Sequence, residues 1–158
     1  MASRNTINQQ FVADSIAVLA PTANGAPEQL DIVVEGEPQV QERPRISHLG
    51  HTHMYDPSSR SKNRFKIAVV KSLQGLTFAQ YPLFRARRLN VTVAFYIKNM
   101  NKDVDNLLKF VLDALQMVVY TDDRCVCQIQ ARKFHSPHHG YTKVSIEALN
   151  TVHVIVID

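Results

Sequence analysis

Between Arg88 and Ile97 the chain reads RLNVTVAFYI, with Val91, Val93, Phe95 and Ile97 alternating against Asn90, Thr92, Ala94 and Tyr96. A period of two lays one face on a core, so this stretch is a predicted strand. QLDIVVEG (29–36) is a first strand, ended by Gly36 and Pro38. CVCQIQARKF (125–134) alternates again, with Cys125, Cys127, Ile129 and Ala131 expected inward. KVSIEA (143–148) and VHVIVI (152–157) complete the strands, the second continuing the first or pairing beside it. The period changes twice. Over 58–74, Phe65, Ala68, Val69 and Leu73 recur at helical spacing, with basic residues between them. From 106 to about 118 nearly every position is apolar, and Asn106, Lys109, Asp113 and Gln116 form one thin polar stripe on a buried helix. The order strand, helix, strand, helix, strand, strand predicts a small mixed α/β or α+β domain, with two helices packed on one sheet.

The flanks read differently. Residues 1–28 are Ala-rich, broken by Pro21, Gly25 and Pro27, and suggest a disordered tail with one short apolar patch at Ile16–Leu19. The domain is expected to occupy 29–158. EPQVQERPRISHLGHTHMYDPSS (37–59) is a long connection full of turn residues. No run approaches the roughly 20 apolar residues that span a bilayer, and the N-terminus lacks a secretory pattern, so a soluble intracellular protein is expected. Cys125 and Cys127 sit two apart, poor geometry for a mutual disulfide, and are expected as two buried, reduced thiols.

Charge sharpens the picture. Residues 1–42 carry one Arg against six acids, a net of −5; residues 43–158 carry 17 basic residues against 8 acids, a net of +9. A domain with that excess is poised for a polyanion, of which nucleic acid is the usual one. Against this background, residues 100–126 hold five of the fourteen acids: Asp103, Asp105, Asp113, Asp122 and Asp123.

Asp103 and Asp105 share a side only if the chain is extended there and turns into the helix at that point, where either can occupy the N-cap. Asp122 and Asp123 follow a helix of roughly 20 Å. They join the first pair only if the next strand begins beside it. Two readings stand at this point. In one, the two acidic pairs are separate turns, one capping the helix and one decorating a hairpin. In the other they converge, and a divalent cation that prefers oxygen ligands, Mg²⁺ or Mn²⁺, relieves their repulsion. An EF-hand is excluded, because its third ligand and its glycine fall on Leu107 and Leu108. HLGHTH (48–53) and HSPHH (135–139) contain no cysteine and read as surface histidines rather than a zinc site.

DVDNLLKFVLDAL followed by VVYTDD resembles the RusA family of Holliday-junction resolvases, in its Asp-x-Asp-Asn-x-x-Lys, Asp-Ala-Leu and Asp-Asp pattern. GEPQVQERPRIS is similar to the family's Gly-x-Pro and Arg-Pro-Arg stretch, and MYDP precedes the first helix as in phage-type members. The resemblance runs from about Leu30 to Phe134. It implies a homodimeric, Mg²⁺-dependent endodeoxyribonuclease that resolves four-way DNA junctions by paired nicks in recombination and repair. Asp103, Asp105 and Asp123 would be catalytic metal ligands and Asp122 a nearby carboxylate. Lys109, one turn after Asp105, would contact the scissile phosphate, with Asp113 orienting it. Arg43 and Arg45, with Lys102 and Lys109, would bind DNA. Phosphodiester hydrolysis needs an activated water and a stabilised phosphorane, and carboxylate-held Mg²⁺ supplies both. The alternative is a junction-binding module of the same fold that does not cut.

Overall fold

A computed structural model describes residues 16–21, 27–48, 50, 52–73 and 81–149. The strands are β1 (Ile16–Pro21), β2 (Pro27–Glu35), β3 (Arg45–Ser47), β4 (His53–Tyr55), β5 (Arg88–Ile97), β6 (Val126–His135) and β7 (Tyr141–Leu149). The helices are α1 (Ser59–Leu73), between β4 and β5, and α2 (Val104–Leu115), between β5 and β6. Asp123–Cys125 forms one 3₁₀ turn ahead of β6. Five strands make one mixed sheet in the order β1-β2-β7-β5-β6, and β3 and β4 make a separate hairpin. This is the mixed α+β architecture expected of the alternating pattern.

β5 anchors it. Its Leu89, Val91, Val93, Phe95 and Ile97 are fully buried, and the core continues into Leu107, Phe110, Val111 and Leu115 of α2 and Val69 and Leu73 of α1. The rings of Phe65 and Phe110 meet edge-on at 5.9 Å, locking α1 to α2. Tyr120 closes the far end of α2: it is fully buried, and its hydroxyl donates to the Leu112 carbonyl at 2.8 Å. Burial, ahead of the nearby Cys125, Asp123 and Asp113, pushes the Tyr120 hydroxyl well above its ordinary pKa. On the other face of the sheet, Tyr96 stacks on Tyr141 at 4.2 Å and on Phe134 at 5.0 Å.

β5 pairs with β7 antiparallel and with β6 parallel, Val91 lying beside Ile129 and Ile97 beside His135. Parallel neighbours need a crossover, and α2 is that crossover. It leaves the C-terminal end of β5 and returns to the N-terminal end of β6.

Several expectations change. Ile16–Pro21, expected within a disordered tail, pairs with β2, Ile16 opposite Ile32; that strand covers backbone groups of β2 that would otherwise lie on an open edge. The long connection contains the β3–β4 hairpin, whose three-residue strands are too short to show a period. α2 begins at Val104 and ends at Leu115, earlier at both ends than expected. In β6, Cys127 and Ile129 are exposed instead of inward, and Cys125 is half-buried. The reason is position: β6 is an edge strand, and the helices cover β5 and β7 more fully. Both cysteines are free thiols, and the Cys125 thiol donates to the Asp122 carbonyl. The strand expected at 152–157 lies outside the described residues. No helix among the described residues is long and apolar enough to cross a membrane.

Leu107 sits at the α2–sheet contact with no exposed surface. Leu107→Ala should destabilise the domain by about 2–5 kcal/mol in urea titrations; a loss below about 0.5 kcal/mol would contradict the packing of α2 on β5.

Candidate metal and DNA site

Asp103 has extended backbone, φ −70° and ψ 133°, at the N-cap of α2. Its carbonyl starts the helix by accepting from the Leu107 amide at 3.1 Å, yet its carboxylate makes no capping bond. The only side-chain contact described for it is a long one from Asn106 Nδ2, at 3.5 Å. Asp105 follows inside the first helical turn, where the helix dipole favours negative charge. Both side chains are exposed. The capping role is therefore taken by position, and the two carboxylates stay available to a ligand.

Lys109 is one turn further along α2 and 61% exposed, with its Nζ 3.9 Å from Asp113 Oδ1. Asp113 is held more closely by Lys62 of α1, at 3.4 Å, and Lys62 also meets Asp56 at 2.6 Å. Asp113 thus ties α1 to α2 before it orients Lys109. Desolvation raises the pKa of the Asp56 carboxyl, but bonds from Lys62, the Ser58 amide and Gln41 together hold it below its ordinary value.

Asp122 is committed locally. Its Oδ1 accepts from the Arg124 amide at 2.8 Å and from Nε at 3.0 Å, and its Oδ2 accepts from Nη2 at 3.0 Å. The Arg124 guanidinium and amide bring its pKa down to about 2. Asp123 is exposed at the start of the 3₁₀ turn.

The basic residues divide in the same way. Arg43 is exposed, and Arg45, on the hairpin, pairs with Glu42 at 2.9 Å. Lys102 is mostly buried, bonded to Glu37 at 3.2 Å and to the Pro38 carbonyl at 2.6 Å, so its charge is spent inside the domain. Glu37 also accepts from the Lys98 amide. That clamp was not legible in the sequence, although Glu37 lies between Gly36 and Pro38 of the matched stretch. A cavity of about 350 Å³ beside it is lined by Glu35, Glu37, Arg64 and Phe65, and by none of the aspartates singled out.

The two acidic groups do not meet within one chain. Lys133, near the C-terminal end of β6, donates to the carbonyls of Met100 at 3.0 Å and Lys102 at 2.8 Å, which pins the Asp103 segment there. Asp123 precedes the first residue of β6. From Val126 to Lys133 is seven residues of strand, about 23 Å. The 12 residues of α2 span about 18 Å in the opposite sense. β6 does neighbour β5, but their parallel register sets the start of β6 beside the start of β5, not beside Asp103. Among the described residues no three His, Cys, Asp or Glu side chains are grouped to hold a metal ion. One chain therefore does not fit a three-carboxylate cation site.

Comparison with known proteins bears on these residues. The family model described as endodeoxyribonuclease RusA matches residues 35–147. The chain is 30% identical over 125 residues to "Uncharacterized protein YqaN" of Bacillus subtilis (strain 168), an overlap of 68% of this chain and 88% of that protein.

The Asp122–Arg124 fork yields a direct check. A carboxyl titration followed by ¹³C NMR should give Asp122 a pKa of about 2. Arg124→Ala should return it to the usual range of about 3–4; no upward movement would contradict the fork.

Proposed function

The chain belongs to the RusA family of endodeoxyribonucleases, and on that premise we propose that it is a Mg²⁺-dependent nuclease that resolves four-way DNA junctions by paired nicks, acting as a homodimer in recombination and repair. The observation that carries the proposal is the extent of the family match: residues 35–147 include β5, α2 and the start of β6, and with them every aspartate of the signature. Mn²⁺ is the expected substitute metal.

In this reading Asp103, Asp105 and Asp123 are the metal ligands. Their exposure, and the absence of a capping bond to Asp103, support that role. Lys109 projects from the face of α2 that carries Asp105, and places a point charge for a phosphate oxygen. Asp122 supports the turn through Arg124 instead of binding metal directly. Arg43 and Arg45 neutralise phosphates of a duplex arm, and Lys102 acts by holding Glu37 and the approach to Asp103. A two-fold enzyme suits a two-fold substrate, and paired nicks follow from that symmetry.

A second reading is a junction-binding module that does not cut. It is favoured by one observation: the described residues of one chain hold no three-carboxylate group.

A synthetic four-way junction separates the two. Symmetric nicks should appear with Mg²⁺ and vanish with EDTA. Asp103→Asn should lower cleavage by a factor on the order of 100 or more while leaving the gel-shift affinity unchanged. Normal cutting by Asp103→Asn would remove Asp103 from the site, and binding without any cutting by the wild type would favour the module.

A further inference from the structure

We infer that the cation site is assembled between two copies of the chain, Asp103 and Asp105 of one copy facing Asp123 of the other, through antiparallel pairing of the two β6 strands. The inference rests on the nuclease reading above and deepens it.

Three observations lead there. The first is the separation itself. Asp103 and Asp105 lie at the end of β6 that carries Lys133, and Asp123 lies at the other end. Only a second molecule running in the opposite direction superposes the two ends. The second is the edge. Among the described residues β6 has β5 on one side and no strand on the other, over ten residues. Ile129 is 49% exposed at its centre and Phe134 is 41% exposed near its end. A long, apolar, unprotected edge in a stable protein usually has a partner. The third is polarity. The approach to β6 carries Asp122 and Asp123, whereas its end carries Arg132, Lys133 and His135. Such a strand is complementary to its own copy only when the two run antiparallel; in parallel, like charges would face each other.

Pairing Ile129 with Ile129 of the second copy puts Asp123 of that copy opposite His135, two residues past Lys133. Adjacent strands lie about 4.8 Å apart, so Asp123 of the second copy reaches the end of α2 that its own chain cannot bring it to. The two-fold axis repeats the arrangement, giving two sites per dimer and a continuous ten-stranded sheet. Both helix layers then lie on one side of that sheet.

Metal binding tests this without recourse to cleavage. Mn²⁺ bound to the full-length protein is counted by EPR for three samples: Asp103→Asn with Asp105→Asn in one chain, Asp123→Asn in another, and the two mixed and re-equilibrated. Each variant alone should lose its sites. In the mixture half of the dimers are mixed and each regains one intact site, so about one quarter of the wild-type sites should return. Return of none, with a wild type that binds Mn²⁺, overturns the shared site and leaves the nuclease reading intact. A wild type that binds no Mn²⁺ overturns both. Ile129→Lys gives an independent arm: it should sediment as a monomer with unchanged far-ultraviolet circular dichroism and lose its Mn²⁺. A dimer with full Mn²⁺ occupancy would overturn the β6 pairing.

Discussion

Parallel pairing of β5 with β6 is the constraint on which the rest of the molecule depends. Two parallel neighbours cannot be joined by a tight turn, so the chain must cross back over the sheet, and the apolar run from Leu107 to Leu115 makes that crossover a buried helix. Once α2 is fixed there, its two ends are fixed as well. One holds Asp103 and Asp105, the other leads into Asp122 and Asp123. The hydrophobic core therefore decides where the carboxylates stand, and it keeps the two groups apart within a chain as firmly as it holds each of them in place.

Polar contacts then sort the charged groups into spent and available. Asp122 is spent on Arg124, Asp113 and Asp56 on Lys62, and Lys102 on Glu37. Asp103 has no capping bond, and Lys109 stands out from α2 with only a long contact to Asp113. This division follows from geometry more than from residue type, since aspartates of one short segment fall on both sides of it. Membership of the RusA family gives the available group a chemistry, and the long open edge of β6 gives it a means of completion.

Much of this was legible in the sequence, for identifiable reasons. β5 coincides with its pattern because every second side chain is buried against two helices, so burial and period agree over all ten residues. α1 ends within a residue of expectation because basic positions mark its outer face. β6 misleads because alternation reports what a face is capable of burying, and at an edge there is little to bury it: Ile129 alternates correctly and is still exposed. β1 escaped notice because an Ala- and Pro-rich stretch has weak strand preference, and it is recruited by the free edge of β2. The convergence of the aspartates failed on direction. A strand, a buried helix and a second strand in succession signal a parallel crossover, and that signal, present in residues 88–134, already implies that the two acidic pairs lie at opposite ends of the helix. Side-chain contacts such as Glu37–Lys102 carry no periodic trace and had to be seen.

The most direct measurement is the anomalous signal of Mn²⁺ in crystals of the wild-type protein. The ion should lie between two molecules related by a two-fold axis, bound by Asp103 and Asp105 from one and Asp123 from the other. An ion bound by all three carboxylates of a single chain would contradict the account, because it would require α2 to leave the position that its buried face imposes.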